Sequence, residues 1–153
     1  MSKNLKAFLD MLAVSELGYK LLNNSDDGYN VLVGGKLFDN GYVSHPNVLV
    51  DLPNLGIKST AAGRYQILNR NYVYYSKLLG LKDFGHESQN AIAIQLIKER
   101  KALPLIEEGN IKEAIRCVCN IWASLPGAGY DQHENKMEYL LKAYTDSNGT
   151  LAA

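Results

Sequence analysis

The sequence predicts an α+β fold: a mostly helical body with a small β-hairpin or three-stranded sheet forming one wall of a cleft. Apolar residues recur at helical spacing near the N-terminus and again from residue 67 onward. Two short strand-like runs, 29–33 and 36–38, fall early and meet at a Gly-Gly pair. Strands that cluster ahead of the helices, instead of alternating with them, belong to the α+β class.

The first helix is predicted from Leu5, Phe8, Leu9 and Leu12, whose step of four lands next on Glu16. Gly18 is its stop, and the Asn- and Asp-rich stretch 23–28 is a loop. The hairpin follows, turning at Gly34 and Gly35. Residues 39–58 carry Pro46, Pro53, Asn47, Asn54 and Gly56 with little periodicity, so a long surface excursion is expected, packed by Leu49, Val50 and Leu52.

The remaining helices are predicted from Ile67, Asn71, Tyr74 and Leu78; from Ala91, Ile94 and Ile97; from Ile111, Ala114, Ile115, Val118 and Trp122; and from Met137, Leu140, Leu141 and Tyr144. Breaks are expected around Pro104 and Gly109, and in the SLPGAGYDQ loop, whose glycines let backbone approach a ligand. The length of 153 residues, 46% of them hydrophobic, suits one domain, 1–153.

Sixteen basic and sixteen acidic residues cancel, so no positive field favours nucleic acid. The N-terminus is interrupted by Lys6, Asp10 and Glu16, which suits neither a signal peptide nor stable membrane insertion; cytoplasmic synthesis is expected. Cys117 and Cys119 stand two apart, pointing away from each other on a helix, and are expected as reduced thiols. His45, His86 and His133 lack zinc-site spacing, and neither metal nor cofactor is expected.

Glu16 is the leading candidate for chemistry. A carboxyl group on the apolar side of a helix end loses hydration and meets the negative end of the helix dipole, and both raise its pKa. Such a group can hold a proton near neutrality and deliver it to a glycosidic oxygen. Periodicity alone leaves a second possibility open, a solvated acid at a helix end.

Glycoside hydrolysis calls for a partner carboxylate about 5 Å away as nucleophile or about 6.5–9.5 Å away as base. Asp26, Asp27, Asp51 and Asp131 are available in loops, and nothing distinguishes any of them. Residues 58–68, KSTAAGRYQIL, place Ser59 or Thr60 as a helix N-cap with Tyr65 and Gln66 on the first turn, residue types that stack on and hydrogen-bond to sugars. Helix-start packing explains them equally well. Trp122 is expected in the core, while Tyr130 and Gln132 are better ligand contacts.

The blocks AFLDMLAVSE, GYNVLVGGKLF, STAAGRYQIL, GLKDF, QLIKER, ALPLIEEG and NIWASLPGAGYDQ run in order from about Lys6 to about Tyr144. Together they resemble the phage lambda endolysin family. The resemblance implies a lysozyme-like fold and a peptidoglycan lytic transglycosylase, which breaks the bond between N-acetylmuramic acid and N-acetylglucosamine and leaves a 1,6-anhydro end. It implies Glu16 as the catalytic residue, with Ser59, Tyr65, Gln66, Tyr130 and Gln132 as substrate contacts. It further implies a monomer that passes from host cytoplasm to periplasm through a lesion made by a holin.

Members often carry Asp where this chain has Asn30, which leaves the loop acids without a marked second carboxylate. The rival expectations are a hydrolytic muramidase using Asp51 or Asp131, and a non-catalytic glycan-binding module.

Overall fold

The stripe that ends on Glu16 folds as α1 (Lys3–Leu17), one residue short of Gly18, in a computed structural model that describes residues 1–128 and 134–153. The other helices are α2 (Tyr19–Asn23), α3 (Asn69–Leu79), α4 (His86–Glu99), α5 (Leu103–Glu107), α6 (Ile111–Val118) and α7 (Met137–Asp146). Two strands, β1 (Val50–Leu52) and β2 (Ile57–Ser59), pair antiparallel with Val50 opposite Ser59 and Leu52 opposite Ile57. The chain groups into two compact units, Met1–Glu16 with Ile94–Ala153, and Leu17–Ala93.

In the first unit, Phe8, Leu9 and Leu12 of α1 and Ile111, Ala114, Ile115 and Val118 of α6 are fully or almost fully buried, as their spacing predicts, and Met11 is buried with them. Each large apolar side chain so buried contributes about 1.5–3 kcal/mol. Trp122 and Tyr144 are in this core too. Pro104 does not break the chain but sits in the first turn of α5, where a missing N–H costs no helical hydrogen bond.

Asn4 ties three segments of this unit together. Its Nδ2 donates to the Ile106 carbonyl at 3.1 Å, and its Oδ1 accepts the Thr150 N–H at 3.0 Å. The last residues are held further by the Ala152 N–H donating to the Gly109 carbonyl at 3.0 Å and by the Tyr144 hydroxyl donating to that of Thr150 at 2.9 Å.

The second unit departs from the predicted pattern in several places. The hairpin at 29–38 shrinks to one bridge, Val31 with Leu37, flanked by the Leu32 N–H donating to the Lys36 carbonyl at 2.7 Å and the Phe38 N–H donating to that of Asn30 at 2.9 Å. The Val33 N–H donates to the Ala61 carbonyl, and the Gly63 N–H donates to that of Val31. The regular sheet lies inside the excursion at 39–58. Its strands are three residues long and partly exposed, too short to show an alternating pattern. Leu49, expected to pack, is 61% exposed, while Val50 and Leu52 are half-buried.

In α3 the apolar stripe is displaced by about one residue. Tyr75 is buried, while Tyr74 and Leu78, expected on the core side, are exposed. Adjacent tyrosines and leucines offer two overlapping faces, and spacing alone does not choose between them. In α4 the buried apolar residues are Ile92, Ala93 and Ile97, with Ala91 and Ile94 half-buried.

Candidate active site

Glu16 occupies the last turn of α1, beside buried Ser15. It is half-buried, and removal from water pushes its pKa from 4.5 up to about 7, against a hydrogen bond from Ser124 that pulls it down. A carboxyl group in this state is partly protonated at neutral pH, so it can give a proton and take one back.

The groups around Glu16 come from far along the chain. The hydroxyls of Ser15 and Ser124 are 2.8 Å apart. Asn135 Nδ2 donates to both the carbonyl and the hydroxyl oxygen of Ser15, each at 3.0 Å, and the Asn135 N–H donates to the Ser124 carbonyl at 2.8 Å. Ser124 follows Trp122, whose buried ring fixes this part of the backbone, and the Leu125 N–H donates to the Trp122 carbonyl at 3.0 Å. Across residues 129–133, Glu134 accepts the Gly127 N–H at 3.2 Å. Tyr130, Asp131 and Gln132, expected near a ligand, lie outside the described residues.

The other expected contacts belong to the second unit. Tyr65 and Gln66 do not start a helix, because Gly63 and Gln66 have φ of 84° and 51° and residues 62–67 close into a turn bridged by Ala62 and Ile67. Tyr65 is 1% exposed, so its ring has no free face on which a sugar could stack. Its hydroxyl donates to Asn90 Oδ1 at 2.6 Å and accepts from Arg64 Nη1 at 3.1 Å. Gln66 is half-buried, with Nε2 donating to the Gly63 carbonyl at 2.8 Å.

Ser59 ends β2, and its hydroxyl oxygen accepts the Ala61 N–H at 3.1 Å. It does not cap a helix. Thr60 does so from a distance, its Oγ1 accepting the Asn69 N–H at the start of α3 at 3.0 Å.

Of the four loop carboxylates, Asp51 is exposed on β1 and Asp27 pairs with Arg64 at 3.5 Å. Asp26 accepts from the Tyr42 hydroxyl at 2.6 Å and lies 2.7 Å from His86 Nε2; these two contacts hold its carboxyl below the usual range. Among the described residues no group of three His, Cys, Asp or Glu side chains could hold a metal ion, and no helix is long and apolar enough to cross a membrane.

Sequence spacing pointed to Glu16 but not to Ser15, Ser124 or Asn135. Ser15 adjoins Glu16 in the chain, and Ser124 opens the glycine-rich SLPGAG stretch. No local pattern marks Asn135, whose contact with Ser15 spans 120 positions.

A family model described as Endolysin matches residues 6–151. The endolysin of Escherichia phage lambda is 53% identical over 149 residues, 95% of this chain and 92% of that protein. The endolysin of Escherichia phage P2 is 44% identical over 161 residues, covering 98% and 96%. Among solved structures, bacteriophage lambda lysozyme complexed with a chitohexasaccharide is 51% identical, with a TM-score of 0.94, and the match covers 99% of this chain and 97% of that one.

Proposed function

The chain belongs to the endolysin family, a lysozyme-like enzyme acting on peptidoglycan, and on that premise we propose that it is a lytic transglycosylase with Glu16 as its single catalytic carboxyl group. The observation that carries this reading is the state of Glu16, a carboxyl group raised to about 7 by burial and hydrogen-bonded by Ser124. A second carboxylate within about 5 Å would add a repulsive charge and raise the pKa further. Burial and Ser124 are the two influences on Glu16 among the described residues.

In the proposed reaction the strand binds with a muramic acid residue at the cleavage point; that the lambda relative is complexed with a chitohexasaccharide supports glycan binding. Protonated Glu16 gives its proton to the glycosidic oxygen as the bond from that oxygen to C1 breaks. The C6 hydroxyl of the same sugar attacks C1 through its oxygen and passes its proton to the Glu16 carboxylate. Two products leave, one ending in a 1,6-anhydro ring, and Glu16 is again protonated. No water is consumed, and the nucleophile is already tethered beside C1, so a second protein carboxylate is dispensable.

Tyr130 and Gln132 are proposed as glycan contacts. The enzyme is proposed to act as a monomer, made in the host cytoplasm and reaching the periplasm through a lesion opened by a separate holin, a reading supported by the family likeness. Mass spectrometry of digested peptidoglycan tests the reaction. Fragments ending in 1,6-anhydro-muramic acid are expected, whereas reducing muramic acid ends would make the enzyme a hydrolase and return Asp51 or Asp131 to consideration. A Glu16→Gln variant that binds glycan while neither it nor the parent releases fragments would make the chain a binding module.

A further inference from the structure

We propose that the outer face of α3 is a docking surface for a lipid bilayer that carries anionic phospholipid. The proposal follows from how charge and apolar side chains are distributed in the second unit.

The chain as a whole has sixteen basic and sixteen acidic residues, and that balance hides a local asymmetry. No Asp or Glu occurs between Asp51 and Asp83, while Lys58, Arg64, Arg70, Lys77 and Lys82 all fall in that stretch. Two of these cations are answered. Arg64 pairs with Asp27, and Lys58 stands opposite Asp51 in the register of β1 and β2. Arg70, Lys77 and Lys82 are exposed, and among the described residues none of them makes an ion pair. Asp83, the next acid along the chain, accepts from the Ser88 hydroxyl at 2.6 Å and from the Gly85 N–H at 3.0 Å.

Arg70, Val73, Tyr74, Lys77 and Leu78 have the i, i+3 and i+4 spacing of one helical face. Burial of Tyr75 turns that face outward, leaving Val73, Tyr74 and Leu78 at 45%, 58% and 54% exposure. Helix stability does not explain the charges on it. Lys77 in the last turn of α3 suits the helix dipole, whereas Arg70 in the first turn opposes it.

An anionic bilayer answers both halves of this face. Its phosphates attract Arg70 and Lys77. Its interfacial layer accepts Tyr74 with Val73 and Leu78, side chains that settle between headgroups and acyl chains. Nucleic acid would satisfy the charges but leave the aliphatic side chains in water. The docking is adsorption to the surface, not a span of the membrane.

Cosedimentation of the full chain with vesicles tests this. Affinity for vesicles of phosphatidylglycerol and phosphatidylcholine should exceed that for phosphatidylcholine alone by about tenfold or more, and should fall as salt rises. Arg70→Gln with Lys77→Gln should lower it about 25-fold, at about fivefold for each cation near such a surface. Tyr74→Ser with Leu78→Ser should lower it at least about tenfold. Lys3→Gln with Lys112→Gln makes the same change of charge on exposed positions of the first unit, and should leave it within about twofold. All six positions are exposed, so the variants should melt close to the parent. Equal binding to neutral and anionic vesicles, no binding to either, or equal losses from the two charge pairs overturns the proposal. A dimer seen by sedimentation equilibrium without lipid, and lost in Tyr74→Ser with Leu78→Ser, overturns it too, by assigning the face to a second copy of the chain.

Discussion

Gly63 and Gln89 occupy the same space in all but one sense: a Cβ on Gly63 would overlap Oε1 of Gln89 and stand 2.8 Å from its Cδ. Gln89 is fully buried, accepting the Arg64 N–H at 2.9 Å and donating to the Tyr29 and Phe84 carbonyls at 3.0 and 2.9 Å. Gly63→Ala is expected to destabilise by about 2–4 kcal/mol, from the overlap and from a φ of 84°. In a Gln89→Ala background the overlap is gone, so the same change should cost about 1–2 kcal/mol less. Urea denaturation of the four chains measures the coupling, and strict additivity would contradict it.

Glu16→Gln should abolish lysis while improving stability at high pH. The loss expected from removing a general acid that also serves as base is at least about 10²–10⁴-fold in kcat. Because the folded chain holds the Glu16 proton up to about 7, against 4.5 in the unfolded chain, stability is greatest below 4.5 and falls as pH rises through about 7. The fall amounts to about 3 kcal/mol. Gln has no proton to lose, so melts should show the variant close to its parent near about pH 4 and ahead of it near about pH 8. An equal gap at both would be wrong for a buried acid.

His45 should resist protonation in a single tautomer. Its Nε2 lies 2.7 Å from the Ile67 carbonyl, which can only accept, and its Nδ1 accepts the Asn47 N–H at 2.9 Å. The proton therefore sits on Nε2, and burial pushes the pKa below 6.5. Its stabilising effect is present above 6.5 and is lost as pH falls through the lowered value. Nitrogen-15 shifts of the ring check the tautomer, and a mixture of the two neutral forms would contradict the assignment.

Removing residues 150–153 should destabilise the first unit by about 1–2 kcal/mol, through loss of the bonds from Thr150 to Asn4 and from Ala152 to Gly109. Gly109→Ala should act in the same direction, since a Cβ there would stand 2.6 Å from the Thr150 carbonyl oxygen. Asn4→Ala should cost less in the shortened chain than in the full one. Thermal melts of the set measure this.

What could be read in advance follows from the length of each signal. Residues 5–16 and 111–118 repeat one apolar face over two turns or more, which is why α1 and α6 were legible and why Glu16 stood out at the end of a stripe. Three-residue strands carry no such repeat, so β1 and β2 were hidden in the excursion at 39–58. Tyr65 beside Gln66 suggested a sugar contact by residue type, yet the ring is buried and its hydroxyl is engaged by Asn90 and Arg64. Ser124 and Asn135 were invisible because they acquire meaning only from a helix more than a hundred residues earlier.

That separation also orders events during synthesis. Residues 1–16 count with 94–153, so the nascent first helix leaves the ribosome long before the strand of chain that completes its surroundings. Asn135 is made 120 residues after Ser15, a delay of about 6–24 s at ordinary bacterial translation rates. Until then Ser15, next to Glu16, lacks that partner for its carbonyl and hydroxyl oxygens. A chain broken off before Asn135 carries the glutamate without the bonds that Asn135 makes to Ser15 and Ser124.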